Sequence, residues 1–236
     1  MIRTVAETGS TNADLIARLG AGDHVAEREW LVADRQTAGR GRQGRTWFDG
    51  CGNFMGSTVV HPGAGDPAPH TLALVAGLAV YEAVQPLCPN PAALMLKWPN
   101  DLLLGEAKLC GILLERAAEA VVIGIGVNLA AAPDLPDRTT VALSAHGPAP
   151  DRDAFAATLA SSLDRELERW RTFGLAPLIR RWLTVGTPEG TPLSVHEPDG
   201  NVVRGRFAGL DDAGTLRLRL EDDAVRVIHA GDVMLA

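Results

Sequence analysis

Only two lysines occur in the 236 residues, Lys97 and Lys108, eleven positions apart; the other twenty basic side chains are arginine. A chain that uses guanidinium elsewhere marks these two positions as places where a compact ammonium is wanted. Lys97-Trp-Pro-Asn-Asp101 puts a cation, an amide and a carboxylate into five residues. Pro99 holds Trp98 extended and stiffens the turn, so Asn100 and Asp101 are presented beside Lys97. That set suits a nucleotide with its magnesium, and Pro-Asn-Asp is also ordinary turn chemistry. Lys108 heads Lys-Leu-Cys-Gly-Ile-Leu-Leu-Glu115, an otherwise apolar run. In a regular strand Lys108, Cys110, Ile112 and Leu114 share one face. The ammonium there either snorkels to solvent or reaches an anionic ligand. Gly111 leaves room for a group to lie against the strand.

Between Gln36 and Trp47, Gly39, Gly41 and Gly44 alternate with Arg40, Arg42 and Arg45. Glycine lets a backbone approach a ligand closely, and successive N–H groups can cradle an anion. The arginines add charge-assisted hydrogen bonds to phosphate or carboxylate. Such a loop is expected to order when an anion fills it; a solvated Arg/Gly loop is the plain alternative. It is no P-loop, since the GK[ST] ending is missing, and its glycine spacing does not fit a dinucleotide fingerprint. Gly124-Ile-Gly-Val-Asn128 ends an apolar run with an amide suited to a base edge. The six histidines are scattered without ligand spacing, so no metal held by His or Cys is expected.

The elements that must position these residues follow from periodicity and punctuation. Residues 10–20 read as a helix capped by Ser10, Thr11 or Asn12 and ended by Gly20. Strands are expected at 29–34, 53–60, 92–97, 101–104, 108–115 and 121–128, with Gly105-Glu106 as a tight turn. Leu72–Val84 is apolar nearly all round and reads as a buried helix. A long loop, with four prolines, covers 129–150, and amphipathic helices follow at 155–170 and 178–183. From about 187 short alternating strands take over, at 191–196, 202–210, 215–220 and 224–229. Turns at Asp199-Gly200 and Asp212-Ala213-Gly214 separate them. Two domains are expected, 1–186 and 187–236, the second a small β-barrel.

Composition narrows the classes. With 46% hydrophobic and 22% charged residues the chain is neither disordered nor fibrous. No apolar run approaches the ~20 residues that span a bilayer. No secretory leader is visible, and three cysteines without CxxC spacing argue against a disulfide framework, so a cytoplasmic location is expected. A net charge of −7 makes general nucleic-acid binding a poor fit.

Taken in order, GSTN at 9–12, GRGRQGRTW at 39–47, KWPND at 97–101, KLCGILLE at 108–115 and GIGVN at 124–128 resemble the biotin protein ligases over nearly the whole chain. The resemblance implies an α/β catalytic domain built on a mixed sheet with flanking helices, similar to class II aminoacyl-tRNA synthetases, and a C-terminal β-barrel. It implies a two-step activity. Biotin and ATP give biotinyl-5'-adenylate and pyrophosphate, and a lysine of a biotin carboxyl carrier domain then takes the biotinyl group. A lipoate-type ligase of the same fold and a non-catalytic biotin sensor are the alternatives. GSTN begins at residue 9, so the short form without a DNA-binding domain, and no DNA partner, is expected.

Carried over residue by residue, Ser10, Thr11, Asn12 and Gln36 would hold the ureido end of biotin. Gly39, Arg40, Gly41 and Arg42 would close over it, and Gly111 would line the pocket. Lys108 would bridge the biotin carboxylate and the α-phosphate. Arg40, Arg42, Arg45, Trp47 and Lys97 would serve the nucleotide, with Asn100 and Asn128 facing adenine. Lys108, Arg42, Lys97 and Asp101 form the expected catalytic set, with magnesium carried on the phosphates near Asp101. No tightly bound cofactor is implied. Met55-Gly56 and Cys110 depart from the commonest pattern and are expected in the binding wall, Cys110 as a small buried hydrophobe rather than a nucleophile. Free strand edges could pair two copies into a homodimer or dock the carrier.

Overall fold

The computed structural model describes residues 1–197 and 200–235. In chain order the elements are β1 (Ile2–Thr8), α1 (Thr11–Gly20), β2 (Trp30–Gln36), β3 (Phe54–Val60), α2 (Leu72–Val84), β4 (Leu94–Lys97), β5 (Asp101–Leu104), β6 (Ala107–Ala117), β7 (Ala120–Val127), α3 (Arg152–Phe173), α4 (Leu175–Val185), β8 (Pro192–His196), β9 (Val202–Leu210), β10 (Leu216–Arg219), β11 (Val225–Ile228) and β12 (Asp232–Leu235). The expected helix at 72–84 has those bounds. Strand 92–97 starts two residues late, because 91–93, opened by Pro91, form a 3₁₀ turn. Both later helices run longer than their apolar stripes. Strand β1 was not foreseen: its burial pattern is mostly exposed, so no alternation betrays it. Of the expected turn at Asp199-Gly200, Asp199 lies outside the described residues, as does the final residue, Ala236.

Seven strands form a mixed sheet in the order β1-β2-β3-β7-β6-β5-β4. Only β1 and β2 pair in parallel, and α1 connects them. Helix α1 covers one face. Leu15, Ile16 and Leu19 pack there on Leu31, Val59 and Val122. Helices α2, α3 and α4 cover the other face over the larger core, which continues into the second sheet through Leu193, Phe207 and Leu218. That sheet has five antiparallel strands ordered β11-β10-β9-β8-β12. It meets the first sheet closely: Trp98 Nε1 donates to Gly214 O at 3.2 Å, and Lys97 Nζ donates to Val233 O at 2.6 Å.

One local feature overturns a sequence expectation. Across β5 and β6, Asp101 faces Gly111 and Leu102 faces Cys110, but the next pair is Leu103 with Lys108. Leu109 is therefore an extra residue, a bulge, and both Leu109 and Cys110 are fully buried. Lys108 does not share a face with Cys110, Ile112 and Leu114. It is turned onto the opposite side, where its Nζ stands 3.2 Å from the place a Gly111 side chain would occupy. Period-two alternation holds only for an unbroken ladder, so the bulge swaps the face.

Candidate functional site

The strands beneath α1 alternate in a way that opens a cavity. In β7, Val121, Ile123, Ile125 and Val127 point into the larger core, and Val122 packs under α1. Two residues on, a side chain at Gly124 would collide with Asn12; two further, one at Gly126 would collide with the Trp47 indole. Gly111 of β6 lies directly opposite Gly126, and a side chain there would also meet the indole. Two facing glycines thus seat Trp47, so the group lying against Gly111 is the chain's own tryptophan. The result is a cavity of about 510 Å³, within the usual range for small-molecule sites.

The end under the start of α1 is uncharged. Ser10 caps α1, its Oγ accepting from Ala13 N at 3.4 Å, a role that serine fills well. The Thr11 N–H donates to Gln36 Oε1 at 2.8 Å, and Thr11 Oγ1 lies 3.1 Å from the same oxygen. Thr11 Oγ1 is 2.6 Å from Ser57 Oγ, and Ser57 Oγ donates to Asn12 Oδ1 at 2.5 Å. Asn12 Nδ2 donates to Glu115 Oε2 at 2.8 Å. Asn12 therefore braces the wall with both ends of its amide. Gln36 Oε1 accepts from the Thr11 N–H, and among the described residues the Gln36 amide nitrogen has no bonded partner.

The other end is charged. Asp101, in β5, sits between two ammonium groups, with Lys108 Nζ 2.6 Å from Oδ1 and Lys97 Nζ 3.1 Å from Oδ2. Burial would push its carboxyl up, but the lysines outweigh burial and hold it down to about 2. It is ionised at neutral pH, and two ammoniums on one carboxylate leave one positive charge over. The bulge aims Lys108 at the cavity, which it lines. Lys97 instead points under the second sheet to Val233 O and is absent from the cavity wall.

The glycine-arginine segment is a hairpin: Gly41 N donates to Arg45 O at 2.7 Å and Trp47 N to Gly39 O at 2.9 Å. Gly39 is buried behind it against Gln36 and Trp47, off the wall. Arg42 donates to Asn100 Oδ1 and to Gly231 O, both at 3.1 Å. Burial lowers its affinity for the proton, and Asp101 and Asp232 oppose that effect; a guanidinium remains charged at neutral pH regardless. Arg45 pairs with Asp232 at 2.9 Å, so β12 of the second sheet helps to build the site. Arg40 has no ion pair among the described residues.

Asn100 donates to Ile112 O at 2.7 Å and accepts from Arg42. Each end of its amide holds one protein partner, and the side chain lines the cavity. Asn128 donates to Val141 O, and its buried Oδ1 has no partner. The Trp47 Nε1 on the same wall also lacks one. These are two polar atoms a ligand could satisfy. Of the departures noted in the sequence, only Gly56 lines the cavity. Met55 is buried off the wall, and Cys110 lies in the core, where burial pushes its thiol up and keeps it protonated.

The lining includes five cations, Arg40, Arg42, Arg45, Lys108 and Arg138, against three carboxylates, Asp101, Asp137 and Asp232. An acidic chain thus concentrates an excess of two positive charges at one spot, the signature of a site for anions. No cluster of three metal-binding side chains occurs among the described residues. A lysine stands against each oxygen of Asp101, so this carboxylate is not free to ligate magnesium directly, and the ion would be carried on the phosphates. Ser57, Glu115, Arg138 and Asp232 are parts of the site that the sequence reading missed. Ser57 had one signal, a hydroxyl beside that of Thr58 in the otherwise apolar strand FMGSTVV. Asp232 had none.

Fold and cavity together define a ligase class: residues 23–128 match the Biotin/lipoate A/B protein ligase family, and residues 194–235 match the Biotin protein ligase C terminal domain. The Biotin--[acetyl-CoA-carboxylase] ligase of Paracoccus denitrificans is 39% identical over 226 residues, covering 91% of this chain and 92% of that one. Its namesake from Mycobacterium tuberculosis is 40% identical over 239 residues, covering 98% and 87%. The Aquifex aeolicus biotin protein ligase, solved in complex with biotin and ATP, superposes with a TM-score of 0.86 at 24% identity, covering 100% of this chain and 99% of that one. The chain belongs to the biotin protein ligases. No helix among the described residues is long and apolar enough to cross a membrane.

Proposed function

We propose that this chain joins biotin to ATP as biotinyl-5'-adenylate and passes the biotinyl group to a lysine of a carrier domain of acetyl-CoA carboxylase type. The observation that carries this reading is the continuity of one cavity from a neutral hydrogen-bonding end to a cationic end, with Lys108 on its wall. The relatives' names and the Aquifex structure with biotin and ATP support it.

The neutral end takes the uncharged ureido ring, and the cationic end takes the acid tail and the phosphates. The biotin carboxylate is ionised at neutral pH, as a carboxyl with an ordinary pKa of about 4.3 would be. The first step therefore needs no general base. A carboxylate oxygen attacks the α-phosphorus, the bond to the bridging oxygen of the β-phosphate breaks, and pyrophosphate leaves. The barrier is the repulsion of two anions, which is worst in a dry site. Lys108 and Arg42 neutralise that repulsion. The divalent ion arrives with the nucleotide, as Mg-ATP. Trp47 and the hairpin of residues 39–47 shield the mixed anhydride from water. In the second step the carrier amine attacks the acyl carbon, AMP leaves, and the amine loses a proton. In this reading residues 1–186 carry the reaction, and residues 187–236 brace the hairpin and Lys97.

The test is mass spectrometry of a purified biotin carboxyl carrier domain incubated with the protein, biotin and Mg-ATP. One biotinyl group on one lysine, dependent on ATP, is expected. An unmodified carrier, or lipoate outcompeting biotin for adenylation, would overturn the reading.

A further inference from the structure

Glu115 is a half-buried carboxylate with no ion pair among the described residues, and its one hydrogen bond comes from Asn12 Nδ2. It extends from β6 on the face of Gly111 and Leu113, directly opposite Val122. It does not line the cavity and reaches it only through Asn12. We propose that Glu115 is a positioning residue that fixes the direction of every hydrogen bond at the neutral end, and so keeps one lone pair of Gln36 Oε1 open to the ligand. This inference rests on the reading that the neutral end takes the ureido ring of biotin.

An ionised carboxylate only accepts. Asn12 must therefore turn its NH₂ toward Glu115 and its oxygen toward Ser57. Ser57 Oγ lies 2.5 Å from that oxygen and spends its hydrogen there. Thr11 Oγ1, 2.6 Å from Ser57, then spends its hydrogen on Ser57 Oγ, and Gln36 Oε1 keeps only the Thr11 N–H. Neither hydroxyl then has a hydrogen left for the cavity. Both can meet a ligand only through lone pairs, which suits the two N–H groups of a ureido ring. The free amide nitrogen of Gln36 is left to donate to the ring carbonyl. Were the Asn12 amide reversed, its NH₂ would feed Ser57, the Ser57 hydrogen would pass to Thr11 Oγ1 and the Thr11 hydrogen to Gln36 Oε1, which would then accept twice from Thr11 and have no lone pair left for a ligand N–H. Gly124 holds Asn12 in place, because any side chain there would displace it; Glu115 sets which way round its amide stands. A glutamine at 115 can donate or accept, so it releases that constraint without changing size.

The experiment is calorimetric titration of biotin into the wild type, Glu115→Gln, Ser57→Ala and the double variant, with matched melting curves. Glu115→Gln is expected to weaken biotin binding about five- to tenfold, the effect of one mis-set buried hydrogen bond. ATP affinity should stay within twofold. The double variant should bind as Ser57→Ala does, within twofold, because Glu115 acts through the Ser57 hydroxyl. A second readout is biotin methylated on a ureido nitrogen: the wild type should reject it more strongly than Glu115→Gln does. Glu115→Gln within twofold of wild type, or losses that multiply in the double variant, would overturn the inference and leave the proposed function standing. A wild type that binds no biotin would overturn both.

Discussion

Under the first turn of α1 the cavity offers hydroxyls and amides whose partners are already fixed; some residues further along the same sheet face it offers ammonium and guanidinium groups already paired with carboxylates. The neutral end is rigid: its bonds run among Thr11, Asn12, Gln36 and Ser57, each at most 8% exposed. The charged end is stable only through pairing that an anionic ligand must rearrange, since Arg45 holds Asp232 and Lys108 holds Asp101. The contrast separates two tasks. Uncharged groups select by matching donors to acceptors, and are insensitive to salt. Cations lower a barrier between anions, and depend on what neutralises them when the ligand is absent.

The sharpest way to break this contrast is to remove one polar group from each end. Asp101→Asn strips a buried carboxylate from one buried and one half-buried ammonium and is expected to destabilise the fold by about 3–5 kcal/mol in urea unfolding. Ser57→Ala, at the neutral end, should lose about 1 kcal/mol. Similar losses at both positions would erase the distinction. Gly126→Ala tests the wall between the ends, since its methyl drives into the Trp47 indole. We expect a destabilisation of about 1–3 kcal/mol, with a blue-shifted or red-shifted Trp47 emission against a Trp47→Phe control. Unaltered stability and emission would mean that the indole is not seated there.

Acid sharpens the comparison next. The Asp101 carboxyl is held to about 2 in the fold, below its ordinary value of about 3.9. Its contribution, about 2 kcal/mol, is therefore present above pH ~4 and lost as pH falls toward 2. Asp101→Asn should lack that part of the acid-induced loss, and Ser57→Ala should keep it. Salt gives the smallest effect. Raising ionic strength from about 50 mM to 500 mM shortens the screening length to a few ångströms and is expected to weaken ATP binding several-fold. Biotin binding should change less than twofold, by calorimetry.

Much of this was legible in the sequence. Leu72–Val84, apolar all round, could only be a buried helix. The alternation of β7 shows where the glycines leave space, although Asn12 and Trp47 fill it rather than a ligand. The scarce lysines did mark one charged cluster, yet Lys97 turned out to anchor β12 rather than line the cavity. What could not be read depends on tertiary contact. The bulge at Leu109 reverses the face of Lys108 with no change in hydrophobic pattern. Asp232 lies far along the chain from Arg45, and nothing in the local sequence of either points to the other. Strand β1 carries polar residues on both faces because it is an exposed edge.

The central claim is that the two ends divide recognition from chemistry, with Lys108 belonging to the chemistry. Lys108→Ala tests it most directly, through pyrophosphate release with biotin and Mg-ATP alongside biotin titration. The account predicts biotin affinity within about tenfold of wild type and pyrophosphate release lower by a factor of ~10²–10³, as for a lost oxyanion-stabilising group. Release within about threefold of wild type, less than the ~10²-fold loss such a group implies, would contradict it.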